Sequence, residues 1–160
     1  MCVVIDTNVI TKILTGNQPL AEKVWRLHGG RAIVIPEPIY AEVKTFCVLA
    51  PDPAQAWSAF NIFKEELDAK IAPCSLTVWE KAGERFAGYI QERSLTKLQY
   101  AKCGVVSEFS CPKCSEPITS RQHILVDFLV GAFALGEVEK AILTLDTGVF
   151  KTYFPELNFL

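Results

Sequence analysis

Two aspartates stand directly after apolar segments that are typical of buried strands. Asp6 follows residues 3–5, and Asp146 follows residues 141–145. In an open parallel sheet, binding sites form beyond the carboxyl ends of the strands. We therefore expect both carboxylates to lie at one edge of a sheet.

Two further acids belong to helices that are predicted to begin near the same edge. Glu42 lies about one turn into the helix that follows the second predicted strand. Asp127 is the only acid in the helix predicted over residues 122–135, and it stands between Val126 and Phe128. An unpaired carboxylate in such apolar surroundings would be costly, so we expect a positive group to face Asp127.

Four acids at one edge of a sheet would repel one another unless a cation neutralised them. The four are Asp6, Glu42, Asp127 and Asp146. A ligand set made of oxygen atoms alone favours Mg²⁺ or Mn²⁺ over zinc. Such an ion can activate a water molecule and stabilise charge on a phosphate while its ester bond breaks. The acids therefore predict a metal site for phosphodiester chemistry.

Each acid also has a purely structural interpretation. Asp6 could be only a helix N-cap, which is common at a strand-to-helix junction. Asp146 could cap the short helix after it, and Glu42 could be an exposed helix charge. Asp127 fits a structural role least well because its neighbours are apolar. It is the joint placement of the four acids that favours the functional interpretation.

The segments that would position these acids alternate between apolar runs and helical periodicity. Strands are predicted at residues 3–5, 32–35 and 141–145, and short ones at 71–74 and 157–160. Helices are predicted near residues 6–14, 19–27, 36–49, 54–69, 77–91, 123–136 and 149–153. Pro73 restricts its strand to the edge of the sheet. Apolar runs without alternation, separated by helices, indicate an α/β fold with a parallel sheet.

The composition is that of one globular domain. The chain has 160 residues, half of them hydrophobic, which suffices for one core and is short for two. We therefore expect a single domain over residues 1–160. The longest apolar run is shorter than the roughly 18 residues that a membrane span needs, and the N-terminus lacks a signal-peptide pattern. A soluble, cytoplasmic protein without a membrane partner is expected. The net charge of −2 does not by itself predict nucleic-acid binding.

Four segments resemble, in order and spacing, the motifs of PIN domains. Residues 3–10 resemble the opening strand that ends in Asp-x-Asn, and residues 35–43 resemble the helix that bears a glutamate. Residues 121–132 and 143–150 resemble the third and fourth acidic motifs. The likeness covers nearly the whole chain apart from residues 95–121, and it is greatest to the VapC-type toxins of toxin–antitoxin pairs.

The resemblance implies a three-layer α/β/α fold and a Mg²⁺- or Mn²⁺-dependent endoribonuclease that acts on RNA. It also implies a small inhibitory antitoxin protein as partner, and often a homodimer. Its acidic site would consist of Asp6, Glu42, Asp127 and Asp146. By the same resemblance, Asn8 and Thr144 would hold carboxylates or water molecules in place through hydrogen bonds.

Three of the six cysteines lie in residues 95–121, a segment without strand or helix periodicity that we interpret as an insertion. Cys103, Cys111 and Cys114 resemble the knuckles of a zinc ribbon, because Cys-Pro-x-Cys directs two thiolates at one ion. Tyr100 stands where a complete first knuckle would have a cysteine. His123 is the nearest candidate for a fourth ligand, but its spacing from Asp127 suits it to orient that carboxylate instead. A zinc site and a ribbon that has lost its metal are both open.

The remaining cysteines, Cys2, Cys47 and Cys74, lie in apolar patterns and are expected to behave as small hydrophobic side chains of the interior. Residues 93–121 carry more basic than acidic side chains. We expect this segment to help hold an RNA backbone near the acidic site.

Three functional hypotheses follow. The leading one is a PIN-type ribonuclease that acts as a toxin. The second keeps the fold but makes the protein an RNA-processing or DNA-acting nuclease without an antitoxin. The third is a catalytically silent module that binds RNA or protein through its insertion, and the presence of all four acids argues against it.

Overall fold

The computed structural model describes residues 2–92, 109–110, 117–118 and 124–160. Within these ranges, helices and short strands alternate along the chain. The strands are β1 (Cys2–Ile5), β2 (Ala32–Pro36), β3 (Lys70–Ala72), β4 (Phe109–Ser110), β5 (Pro117–Ile118), β6 (Ala141–Leu143) and β7 (Asn158–Phe159). The helices are α1 (Thr7–Leu14), α2 (Gln18–His28), α3 (Glu37–Val48), α4 (Pro53–Glu66), α5 (Leu76–Glu92), α6 (Ile124–Gly136) and α7 (Gly148–Tyr153).

Five strands form one parallel sheet in the order β3-β2-β1-β6-β7. The first strand is central, because Val3 pairs with Ile33 on one side and Ile5 pairs with Leu143 on the other. All four strand pairs are parallel. The predicted α/β fold with a parallel sheet is confirmed.

Helices cover both faces of this sheet. Val3, Val4 and Ile5 have no exposed surface. Successive side chains of a strand point to opposite faces, so three buried neighbours require cover on each side. The same holds along β2, where Ile33 and Ile35 are fully buried on one face and Val34, on the other, is 8% exposed. The structure is therefore the expected three-layer α/β/α arrangement.

The strand β6 is shorter than predicted and ends at Leu143 rather than at residue 145. Its partner β1 ends at Ile5, so the following residues have no neighbouring strand on that side. The side chain of Asn8 takes over this role, because its Oδ1 accepts a hydrogen bond of 3.0 Å from the backbone N–H of Leu145. The prediction that Asp146 directly follows a strand was wrong by these two residues.

Two other boundaries differ from the prediction for local reasons. The strand β3 lies at the sheet edge, as Pro73 predicted, but it ends at Ala72 instead of continuing through the proline. The helix α4 ends at Glu66 rather than at residue 69. Asp68 has a φ of 43°, in the left-handed region that a right-handed helix cannot include.

The predicted insertion contributes only four described residues, in β4 and β5, which pair as antiparallel strands. Its cysteines Cys103, Cys111 and Cys114, together with His123, lie outside the described residues, so the zinc site stays a prediction. Of the other cysteines, Cys47 is buried as expected. Cys2 and Cys74 are partly exposed, although both pack against the core.

The most apolar of these helices is α6, in which residues 128–134 are all buried. It has 13 residues. Within the described ranges, no helix combines the length and the apolar character that crossing a bilayer requires.

Gly131 allows α6 to approach the segment that follows α7. A Cβ atom at this position would lie 2.6 Å from two ring carbons of Phe154. The Phe154 ring is fully buried, so it has little room to move. A side chain at position 131 would therefore force packed elements apart.

Replacing Gly131 with alanine should lower the free energy of unfolding by about 1–3 kcal/mol, the usual cost of overpacking a core. Urea unfolding followed by circular dichroism measures this change. Gly83→Ala is the matched control, because nothing lies within 4 Å of its added Cβ. In the middle of α5 it should instead stabilise by about 0.5–1 kcal/mol. Equal stability of Gly131→Ala and the wild type would contradict the close packing.

Candidate active site

Asp6 is the first residue after β1 and the N-cap of α1. One carboxylate oxygen, Oδ1, accepts a hydrogen bond of 2.7 Å from the backbone N–H of Thr7. The other, Oδ2, accepts from Nδ2 of Asn8 at 2.8 Å and from Oγ1 of Thr144 at 2.6 Å. Asp6 is only 6% exposed. It does cap the helix, as its structural interpretation predicted, but its three bonds also fix the orientation of a buried carboxylate.

Thr144 joins the end of β6 to the start of α1. Its Oγ1 accepts hydrogen bonds of 3.1 Å from Nδ2 of Asn8 and from the backbone N–H of Asp146. The single hydroxyl hydrogen can then go to Asp6, at 2.6 Å, or to the backbone oxygen of Asp146, at 3.2 Å. The shorter distance favours Asp6. Thr144 thus takes the strand-end position that had been predicted for Asp146.

Glu42 is linked to Asp6 through Thr7. The hydroxyl of Thr7 donates to Oε2 of Glu42 at 2.5 Å, while the backbone N–H of the same residue holds Asp6. Thr7 is a residue that the sequence reasoning missed. Its place between Asp6 and Asn8 was visible, but its partner lies 35 positions away along the chain. No local pattern could have indicated that contact.

Burial raises the pKa of Asp6 above its ordinary value, and the nearby carboxylates of Glu42 and Asp146 raise it further. The hydroxyl of Thr144 and the backbone N–H of Thr7 oppose this shift because they donate hydrogen bonds to the charged form. Three of the four predicted acids are therefore electrostatically coupled.

Asp146 lies in the exposed loop between β6 and α7. Its Oδ1 accepts a hydrogen bond of 3.1 Å from the backbone N–H of Gly148, the first residue of α7. It thus satisfies the first backbone N–H of α7, although the N-cap residue is Thr147. Asp146 also lies near enough to Asp6 for the two carboxylates to interact electrostatically. A purely structural role in the loop would not require this.

Asp127 lies in the first turn of α6 and is half-buried rather than fully buried. The next residue, Phe128, is fully buried and anchors this part of the helix. Its ring packs at centroid distances of 5.1 to 5.8 Å against the rings of Phe86, Tyr89, Tyr153 and Phe154. The helix α6 also packs against α3, which carries Glu42, and against β1. The assignment of Asp127 as the fourth acid stays a prediction.

Among the residues that the structure describes, no three His, Cys, Asp or Glu side chains form a compact group able to hold a metal ion. Mg²⁺ does not require such a group, because it keeps several water molecules and binds through one or two carboxylates. The chemistry of the donors fits it: Asp6 uses three of about four lone-pair directions in hydrogen bonds. The remaining direction, on Oδ1, is suited to a hard cation.

No protein-family model and no curated protein sequence matches this chain. Several solved structures do match it. VapBC2 from Rickettsia felis, bound to a DNA fragment from its promoter, is 17% identical with a TM-score of 0.66, covering 100% of this chain and 98% of that one. VapBC-1 from nontypeable Haemophilus influenzae is 18% identical with a TM-score of 0.64, covering 100% and 97%. A toxin–antitoxin complex from Klebsiella pneumoniae is 16% identical with a TM-score of 0.53, covering 98% and 95%.

At these identities the likeness concerns the fold. The chain has the PIN-like α/β/α fold of these structures over nearly its full length. The fold expected from the four motifs is thereby confirmed. The activity of this chain has to be inferred from its own site residues.

The raised pKa of Asp6 makes a prediction about stability in the absence of metal. An unfolded aspartate has a pKa of about 3.9, so between that value and the higher folded value the folded state binds more protons. The contribution of Asp6 to the free energy of unfolding is therefore fully present below about pH 4. It declines as the pH rises through the pKa of Asp6 in the folded state. Asp6→Asn should remove this decline, as measured by denaturant unfolding at stepped pH in chelator.

Asp52→Asn is the matched control for this experiment. Asp52 is an exposed N-cap whose Oδ1 accepts from the backbone N–H of Gln55, and asparagine caps equally well. This variant should keep the helix cap, so it controls for the removal of a carboxylate outside the site. An Asp6→Asn profile that parallels the wild type would contradict the shifted pKa.

Proposed function

We propose that this protein is a Mg²⁺- or Mn²⁺-dependent endoribonuclease and acts as the toxin of a toxin–antitoxin pair. The observation that carries the proposal is the buried carboxylate of Asp6, which is coupled to Glu42 and Asp146 at the carboxyl edge of the sheet. Crowded acids by themselves are unsuited to bind a phosphate directly. With a divalent cation they become a site for phosphodiester hydrolysis.

The residues that would hold the ion, some directly and others through its bound water molecules, are Asp6, Glu42, Asp127 and Asp146. When bound, the ion would lower the pKa of a water molecule and neutralise charge on the phosphate. Oxygen donors of this kind suit Mg²⁺ and Mn²⁺. The pKa of Asp6 is raised mainly by burial and further by the neighbouring carboxylates, and an ion would relieve this second effect. Because the chain has a net charge of −2, a cation bound at the site would strengthen its attraction for a polyanion.

The hydrogen-bonded neighbours of Asp6 would act as positioning residues. Asn8 and Thr144 hold Oδ2, so the carboxylate presents the same oxygen to the ion in every turnover. Thr7 holds both Asp6 and Glu42, and it sets the distance between two prospective ligands. Such partners of metal ligands typically contribute about 10- to 100-fold to metal affinity or activity.

The toxin assignment draws on the structures that share the fold. The solved structures include VapBC complexes and a toxin–antitoxin complex. An antitoxin that inhibits this chain and a homodimer are both part of the proposal. An RNA-cleaving toxin would act in the cytoplasm, where its substrate is made.

The nuclease is tested by incubating a labelled single-stranded RNA with purified protein in Mn²⁺ and in chelator. Cleavage should require the metal, and Asp6→Asn and Asp127→Asn should each reduce it by about 100-fold or more, beyond the roughly 10- to 100-fold effect of outer partners. Glu22→Gln, which removes an exposed acid of α2, should cleave like the wild type. Cleavage that survives both aspartate changes would remove the site assignment.

Metal binding has a second readout in the same samples. Mn²⁺ at about 100 times its dissociation constant should stabilise the wild type by about 2.7 kcal/mol. Mn²⁺ should stabilise the Asp6→Asn variant much less. If both proteins gain equally, the ion binds elsewhere.

Toxicity is tested by induced expression in a bacterial host. The wild type should arrest growth, and Asp6→Asn should be tolerated at equal protein level, because growth arrest would come from RNA cleavage. Co-expression of the protein encoded beside this chain should restore growth if that protein is the antitoxin. Metal-dependent cleavage in vitro without growth arrest would favour an RNA-processing or DNA-acting nuclease instead.

A further inference from the structure

A cavity of about 410 Å³ opens between α3, α5 and α6. Most of its wall is apolar, and the residues that form this part include Pro38, Ala41, Trp79, Val126 and Leu129. Its volume lies in the range of about 300–1,000 Å³ that small-molecule sites occupy. Apart from Glu42, none of the hydrogen-bonded residues described above lines it.

Trp79 is the unusual member of this wall. It is 50% exposed, whereas its neighbour Val78 on α5 is 2% exposed and faces the core. A single exposed aromatic side chain on a surface needs no explanation. Here the exposed ring lines a cavity beside the candidate active site, so it is available to contact an entering group.

The cavity shares one residue with the acidic cluster. Glu42 lines the cavity, and its Oε2 accepts the hydroxyl hydrogen of Thr7, the residue that also holds Asp6. On the opposite wall, Val126 directly precedes Asp127 in α6. A group bound in the cavity would therefore lie next to a phosphate held at the acidic cluster.

We propose that this cavity receives one unpaired nucleobase of the RNA substrate, with the base stacked on Trp79. This inference rests on the proposed ribonuclease function and specifies how its substrate is positioned. A base is flat, aromatic and uncharged, and it stacks favourably on tryptophan in single-stranded complexes. Glu37 and Glu42 on the rim repel a phosphate or an acidic peptide, so the base and not the backbone enters.

The same two carboxylates predict which bases fit. An ionised carboxylate only accepts hydrogen bonds, so it favours a base edge that carries amino groups. Guanine offers an N–H beside an amino group, and cytosine and adenine each offer an amino group. Uracil offers one N–H between two carbonyl oxygens, which a carboxylate repels. Glu37, which is exposed at the rim, is the residue we assign to this discrimination against uracil.

The test measures RNA binding apart from cleavage. Fluorescence anisotropy with labelled five-nucleotide RNAs is recorded in chelator, so that no hydrolysis intervenes. Trp79→Ala should weaken binding of oligoguanylate or oligocytidylate by about 5- to 150-fold, the range for losing one base–aromatic stack. Trp79→Phe should retain most of the affinity. Trp25→Ala is the matched control, because Trp25 is 41% exposed on α2 and does not line the cavity.

Base preference is measured with Glu37→Gln. The wild type should bind oligouridylate more weakly than the amino-bearing homopolymers, and this variant should narrow the difference, because glutamine both donates and accepts. Unchanged preference in Glu37→Gln would remove the discrimination assigned to Glu37.

The outcomes separate this inference from the proposed function. Unchanged RNA affinity in Trp79→Ala overturns the base site, even if cleavage is normal. If light scattering shows that Trp79→Ala alters the oligomeric state while RNA affinity stays the same, a second copy of the chain covers the cavity and the inference is also wrong. A third outcome is RNA binding that depends on Trp79 without metal-dependent cleavage under any condition. It would support the base site and contradict the proposed ribonuclease function.

Discussion

A carboxylate buried at the point where two central strands end constrains much of this structure. An ionised group that leaves water must find hydrogen bonds in exchange, or its burial is too costly. Asp6 finds three, from Thr7, Asn8 and Thr144. Two of these donors come from the first turn of α1, and the third comes from the end of β6. The geometry of the site therefore depends directly on the register between β1 and β6.

The same arrangement stores an electrostatic conflict. Burial raises the pKa of Asp6, and Glu42 and Asp146 lie close enough to raise it further. Thr7 holds Glu42 in place by a short hydrogen bond. A fold selected for stability alone would separate these acids. Clusters of groups with perturbed pKa values are more typical of functional sites. A divalent cation resolves the conflict, since it converts mutual repulsion into shared attraction.

The neighbouring cavity would serve recognition of the substrate, whereas the acidic cluster would serve the chemistry. Glu42 belongs to both the acidic cluster and the cavity wall, so the two regions share a side chain. An acidic edge alone would bind a cation and then a phosphate group of RNA, whatever the RNA sequence. An apolar cavity with an exposed tryptophan and a carboxylate rim adds a surface that distinguishes bases. Catalysis and selectivity would then meet at Glu42 of α3.

Local sequence features determined most of the architecture. The fully apolar runs at residues 3–5 and 32–35 indicated strands covered on both faces, and Pro73 indicated an edge strand, because these effects act within a few residues. Asp6 was identified from its position after such a run. The boundary of β6 could not be obtained in this way, because it depends on where the neighbouring strand β1 stops.

Contacts between distant segments were decided only by the tertiary structure. The bond from Thr7 to Glu42 spans 35 positions, and the bond from Thr144 to Asp6 spans 138. Trp79 lies in the helix predicted over residues 77–91, and only the packing of α5 against α6 brings it into the same cavity wall as Glu42. Residue type and spacing reveal which groups are able to react. Only the folded backbone decides which of them meet, because a hydrogen bond between remote residues depends on the register of every element between them.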